Sequence, residues 1–277
     1  MIERLFVANK PTTVSSNHFL SRLKRKYGVK KAGYSGTLDP FASGVLIVAF
    51  GNYTRLFNYL AKSPKVYETT IWLGAFCESL DNENITKVDV LKPFSMQSLE
   101  IVRSDLLGNI KYIPPKFSAK KIDGKRAYEL ARKDEEFELK PCEMQIFSCE
   151  ILNYSHPFLT LRLSVSEGSY IRSYAQIFAK KLGVNATLSA LKRVSEGKFV
   201  YENEKELDPT KFLSLKTNSY LGNPKNIEYG KKLDISELVI KTDGIYMIKF
   251  DEFFSIIEIK NELVSYCLNK VKNADIN

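Results

Sequence analysis

Residues 33–50 read GYSGTLDPFASGVLIVAF. Gly33, Gly36 and Gly44 punctuate a loop, and the β-branched apolar run at 45–50 reads as a short buried strand. The loop therefore feeds directly into a rigid element. Inside it lies Asp39, the only carboxylate between Arg4 and Tyr67. A carboxylate in a basic field is held ionised by its neighbours and is available as a nucleophile toward an anionic substrate. The competing reading is that Asp39 opens a turn before Pro40, which Asp-Pro pairs commonly do.

The flanking sequence supplies the cations. Ser15, Ser16 and Asn17 precede Phe19, Leu20, Leu23 and Tyr27, the spacing of a capped helix that stops at Gly28. Its other face carries Arg22, Lys24, Arg25 and Lys26. Of the net +9 carried by 277 residues, a net +8 lies in residues 1–75, where eleven Lys and Arg face Glu3, Asp39 and Glu68. Such concentration is an electrostatic footprint for a polyanion. Nucleic acid fits better than a membrane surface, because no basic helix with a broad apolar face accompanies the charge.

Other classes are disfavoured. Cys77, Cys142, Cys149 and Cys267 show no CxxC spacing, and only two histidines are present, so no usual zinc framework assembles and the cysteines read as reduced and structural. GxGxxG and GxxxxGK[ST] do not occur, which disfavours the usual nucleotide cradles. The start MIERLFVANK has no apolar signal core and no apolar run approaches membrane-spanning length, so a cytoplasmic protein is expected. The basic half also lacks the clustered carboxylates of a two-metal nuclease.

Further along, KVYETTIWL at 65–73 reads as a strand with Tyr67, Thr69 and Ile71 on one face and Glu68, Thr70 and Trp72 on the other. A polar loop at 78–92, a helix at 98–107 closed by Gly108, and a helix near 126–132 follow. Residues 144–152 and 159–165 alternate as paired strands. SEGSYIRSYAQIFAKKLG turns at Gly168 into a helix ending near Gly183, which puts Tyr170 and Arg172 at a strand-to-helix junction, a common place for functional groups. The expected organisation is a first domain over 1–205, a polar connector over 206–225 and a small β-rich module over 226–277. Its β-like pieces are LVI, IYMIKF and FFSIIEI.

Taken together, ANKPTTVSSNHFLSRLKRKYG, KKAGYSGTLDPFASGVLIVAFGNYTRL, KVYETTIWLG, IPPKFSAKKIDGKRAYELAR, EGSYIRSYAQIFAKKLG and ATLSALKRV resemble, in order, the signature blocks of bacterial tRNA pseudouridine synthases of the TruB family. The resemblance covers about residues 5 to 195. It implies an α+β pseudouridine-synthase fold, a mixed and mainly antiparallel sheet flanked by helices and loops, with a C-terminal PUA-like module. It also implies an isomerase acting on uridine 55 in the T-loop of tRNA, without cofactor or metal.

By this resemblance Asp39 matches the family's invariant aspartate, Tyr67 the aromatic residue beside the target base, and Arg172 the arginine that pairs with the aspartate. Tyr170 and Leu191 match the lining of the uridine pocket, Lys10 the basic residue of the KP block, and Arg193 with Lys192 the basic pair after the pocket leucine. Tyr34 stands where the family usually has His, so a ring can still stack at the extruded base while imidazole chemistry is lost. Asn9 stands where Asp is common.

The chemistry asks for these groups. Turning uridine into pseudouridine breaks the N1–C1′ bond and makes a C5–C1′ bond, with no redox change and no net hydrolysis. One carboxylate can attack C1′ or C6, or initiate loss of a sugar proton. Burial would raise the pKa of Asp39 unless a cation compensates, and an arginine offers a directional pair that lysine does not. The base must leave its stack to be reached, and Tyr67 and Tyr34 are the expected aromatic wall. A stand-alone monomer acting without guide RNA is the leading reading. The alternative is an RNA-binding or tRNA-folding module with weak or no catalysis.

Overall fold

In the computed structural model, which describes residues 2–133 and 135–274, the apolar run at 45–50 lies in β3 (Ser43–Phe50), seven of whose eight residues are buried. Both faces of this strand are covered. On one side α1 (Ser16–Lys26) packs Leu23, Phe19 and Leu20 against Phe6, Leu46 and Val48. On the other, Val45 and Ile47 join a cluster with Met247, Phe254 and Ile256 of the C-terminal region. A strand apolar on both faces loses its alternation, which is why its sequence reads as a continuous run. Each fully buried Ile or Phe in it contributes roughly 1.5–3 kcal/mol.

β3 pairs antiparallel with β1 (Arg4–Lys10) and β2 (Ala32–Ser35). The expected loop at 33–44 is thus shorter than its glycines suggest, because Gly33, Tyr34 and Ser35 form an edge strand beside Ala49, Val48 and Ile47. Three polar or small residues are too few to display a period. Then come β4 (Lys65–Leu73), the short β5 (Ala75–Phe76) and β6 (Lys87–Val88), α2 (Met96–Asp105), and β7 (Gly108–Tyr112). α2 begins two residues before the expected helix, since Ser95 rather than a later residue accepts from the backbone of Ser98. The Lys116–Lys125 segment carries a small hairpin, β8 (Lys121–Ile122) with β9 (Lys125–Arg126), followed by α3 (Ala127–Ala131).

The long hairpin β10 (Cys142–Ser155) and β11 (Phe158–Val165), α4 (Ile171–Lys181) and β12 (Ala186–Glu196) complete the large sheet. Its order is β1-β3-β12-β4-β11-β10-β7, with β2 also on β3. Among the described residues its pairs are antiparallel except β3 with β12. α2 and α4 cover one face, and Ile71, Leu161, Leu163, Ile171 and Phe178 make the core between them. In β4 the even alternation holds, with Tyr67, Thr69 and Ile71 buried.

The C-terminal sheet has the order β13-β14-β15-β16, from β13 (Lys216–Thr217), β14 (Gly244–Lys249), β15 (Phe253–Lys260) and β16 (Leu263–Lys272), with α5 (Pro224–Glu228) beside it. β13 comes from the polar connector and pairs parallel with β14. The LVI piece at 238–240 is no strand. It leaves a single helical turn whose carbonyl at Ile235 receives the Leu238 amide, and burial of Leu238 accounts for its apolar character.

Candidate active site

Asp39 sits in the bend between β2 and β3, and the turn expected of its Asp-Pro pair is formed there. Its carbonyl accepts from the Ala42 amide at 3.1 Å, closing a turn with Pro40 inside, while its side chain points to Arg172. The turn is pinned on several sides. Ser16 Oγ donates to the Leu38 carbonyl at 2.9 Å and accepts from the Leu38 amide at 3.0 Å. Lys10, fully buried, donates to the carbonyls of Pro11 (2.8 Å), Val14 (2.6 Å) and Pro40 (3.3 Å). Burial brings the Lys10 ammonium down to about 8, Asp39 opposing the fall and Arg193 adding to it.

Arg172 lies in the first turn of α4 and is 3% exposed. Its Nη2 is 2.9 Å from Asp39 Oδ2, and it also donates from Nη1 to the Ser79 carbonyl (2.6 Å) and from Nη2 to the Phe117 carbonyl (2.8 Å). The guanidinium is thus oriented by two loops as well as by the carboxylate. The Asp39 side chain keeps 31% exposure on the cleft side. Its pKa is raised: burial is the main cause, Arg172 opposes it, and the field of Asp81 adds to it. The basic field expected to hold the group ionised is outweighed by desolvation, and the acid isolated in sequence is not isolated in space. Asp81 is itself buried, accepting from Ser79 Oγ and the Glu83 amide.

A cleft of about 300 Å³ opens here, small for a ligand pocket. Asp39, Tyr67, Tyr170, Arg172, Leu191 and Arg193 all line it, so six of the eight residues singled out from sequence meet. Tyr67 projects from β4 and Leu191 from β12, both on the helix-covered face. Tyr170, the residue before α4, has its hydroxyl pKa raised chiefly by burial.

Lys10 and Tyr34 are not in the lining. Lys10 is occupied beneath the turn by its three carbonyls, and the Tyr34 hydroxyl donates to Asn17 Oδ1 at 3.0 Å from strand β2. The expected basic pair also divides. Lys192 is exposed, whereas Arg193 is 1% exposed, as alternation along a strand requires. Sequence reading missed Ser16, Lys65, Asp81 and Glu196. Lys65 carried a signal, since it is in phase with the inward Tyr67 and Ile71. Glu196 carried none, because a register shift between Arg193 and Ser195 breaks the period before it.

Comparison with known proteins defines the class first. The chain superposes on the protein in "Crystal Structure of a Cbf5-Nop10-Gar1 Complex" with TM-score 0.68 at 18% identity, covering 98% of this chain and 84% of the other. It matches "Structure of H/ACA RNP bound to a substrate RNA containing 2'-deoxyuridine" with TM-score 0.66 at 18% identity, over 97% and 84%. The fold is that of the pseudouridine synthases, with a C-terminal strand-rich region consistent with a PUA-like module. Residues 24–171 match the model for the TruB family pseudouridylate synthase N-terminal domain. The chain is 64% identical to tRNA pseudouridine synthase B of Campylobacter curvus (strain 525.92), over 97% of this chain and 98% of that relative. It is 50% identical to the protein of the same name from Sulfurovum sp. (strain NBC37-1), over 98% of each. The chain belongs to the TruB family, isomerases that convert uridine 55 of tRNA to pseudouridine.

Proposed function

We propose that the cleft receives uridine 55 after it leaves the T-loop stack, and that Asp39 initiates cleavage of its N1–C1′ bond. The observation that carries this reading is the 2.9 Å pairing of Asp39 with Arg172 at a cleft also lined by Tyr67 and Leu191. Arg172 balances the carboxylate while leaving one side of it toward the cleft. The uracil, once detached, turns so that C5 meets C1′; C5 gives up its proton as it bonds to C1′, and N1, which bears no hydrogen in uridine, gains one in place of its lost bond to C1′, so the reaction is an isomerisation that consumes nothing. Tyr67 supplies a stacking face, worth roughly 1–3 kcal/mol per base.

The exposed Arg22, Arg25 and Lys26 of α1 grip the RNA backbone and orient it without reading bases. In this reading residues 1–205 carry the catalysis, 206–225 connect, and 226–277 form the PUA-like module. The protein acts as a monomer, on tRNA in the cytoplasm, with no guide RNA. No helix among the described residues is long and apolar enough to cross a membrane.

The test is tritium release from C5-labelled tRNA together with mapping of pseudouridine at position 55. Asp39→Asn should abolish release while tRNA still binds. Wild-type turnover by that variant would reject Asp39. Tyr67→Leu should cut single-turnover rate far more than affinity, and Tyr67→Phe separates stacking from hydroxyl chemistry.

A further inference from the structure

At the floor of the cleft, which Lys65 and Arg193 help to line, three charged side chains meet with little exposure to water. Glu196 is fully buried, with Oε2 2.9 Å from Lys65 Nζ and Oε1 2.9 Å from Arg193 Nη2. Lys65 and Glu196 are directly opposite across β4 and β12. The register shift after Arg193 turns Glu196 back to the side of the sheet that Arg193 already faces.

What the triad touches is the loop that carries Asp39. Arg193 Nη2 donates to the Gly36 carbonyl at 2.8 Å, and its Nε donates to the Val45 carbonyl at 2.8 Å. One planar guanidinium therefore ties the residue three before Asp39 to the residue six after it. Gly36 is seated on the charged ends themselves. A methyl group there would lie 3.1 Å from Lys65 Nζ, 3.2 Å from Arg193 Nη1 and 3.3 Å from Glu196 Oε1.

We propose that Arg193, held in place by Glu196 and Lys65, is a positioning residue that staples the two ends of the 36–45 loop and so sets Asp39 against Arg172 and the reacting base. This rests on the reading of Asp39 given above. Three buried charges are a poor way to gain stability, because well-packed apolar residues do as well or better. A fork with donors at fixed angles is a good way to hold two carbonyls, and an ammonium does not reproduce it. Arg193 is also too buried to serve as a phosphate contact. Glu196 balances one of the two cations at the cleft floor, which lets the guanidinium keep its orientation without a solvent or RNA anion.

The experiment compares full-length wild type, Arg193→Lys, Glu196→Gln and Asp39→Asn in three measurements: single-turnover pseudouridine formation at saturating enzyme, tRNA affinity across a salt series, and thermal melting. A misplacement of about 1 Å at reacting groups costs on the order of 100-fold in rate. Arg193→Lys is expected to lose about that much, with affinity and its salt slope within threefold of wild type, and Glu196→Gln to lose less in the same pattern. A wild-type rate in either folded variant overturns the proposal, as does lost affinity with a shallower salt slope, which marks a phosphate contact. If Arg193→Lys does not fold, Glu196→Gln decides by the same criteria. Full turnover by Asp39→Asn is a separate result, striking the reading of Asp39 itself.

Discussion

Arg172 reaches Asp39 with one terminal nitrogen at 2.9 Å while the same guanidinium donates to the carbonyls of Ser79 and Phe117. The cation that balances the carboxylate is thus aimed by backbone groups of two separate loops. Its direction does not depend on substrate. Lysine offers the charge but not the three-way geometry. Arg172→Lys should lower single-turnover rate by roughly 10²–10³, the usual range for a positioned electrostatic group, with tRNA affinity nearly unchanged. A salt-sensitive loss of affinity at full rate would instead make Arg172 a phosphate ligand.

The raised pKa of Asp39 sets the pH dependence. If the ionised form reacts, rate rises with pH through an acid limb lying above 3.8, the ordinary aspartate value. The charge on Asp81 pushes that limb up and Arg172 pulls it down. Asp81→Asn should therefore move the limb to lower pH, and Arg172→Gln should move it higher. Single-turnover pH profiles of the three proteins check the order.

Ser16 should behave as an anchor of the loop. Its hydroxyl serves both the amide and the carbonyl of Leu38, in a site where Ser16 is 2% exposed. Ser16→Ala leaves both groups without that partner, at about 1–3 kcal/mol each if no water replaces it. A melting temperature lower by several degrees is expected, together with a slower single-turnover step. Equal rate in a destabilised variant would confine Ser16 to folding.

Lys10 gives stability a pH signature. Its folded pKa is about 8 against 10.5 for the free side chain. Between these values the unfolded chain binds more protons, so this residue makes stability rise with pH across that window. Below about pH 8 the burial penalty on the ammonium is fully present. Lys10→Met should remove the upward slope, which denaturant unfolding between pH 7.5 and about 10.5 would measure.

How much the sequence discloses depends on whether a residue acts alone or through a neighbour. α1, β3, β4 and α4 were legible because burial on one face, or on both, leaves a period or an unbroken apolar run. Asp39, Tyr67, Tyr170, Arg172 and Leu191 were legible through motif order, and all five line one cleft. The rest depends on long-range contact. Asp81 reaches Asp39 only through the fold, Glu196 lies past a bulge, and β13 is two residues of a polar connector that happen to meet an apolar sheet. Lys10 and Arg193 are matched to basic family positions in the sequence, which says nothing of the loop that they hold. Both donate to the backbone of that loop, because alternation along a strand turns every second side chain inward, whatever its charge.

β3 leaves the Asp39 loop with α1 against one side and Phe254 and Ile256 against the other. A segment clamped between two layers cannot detach by itself. β3 is therefore a fixed post, and any slack in the nucleophile has to arise in the short stretch before it, where backbone carbonyls and amides hang on Ser16, Lys10 and Arg193.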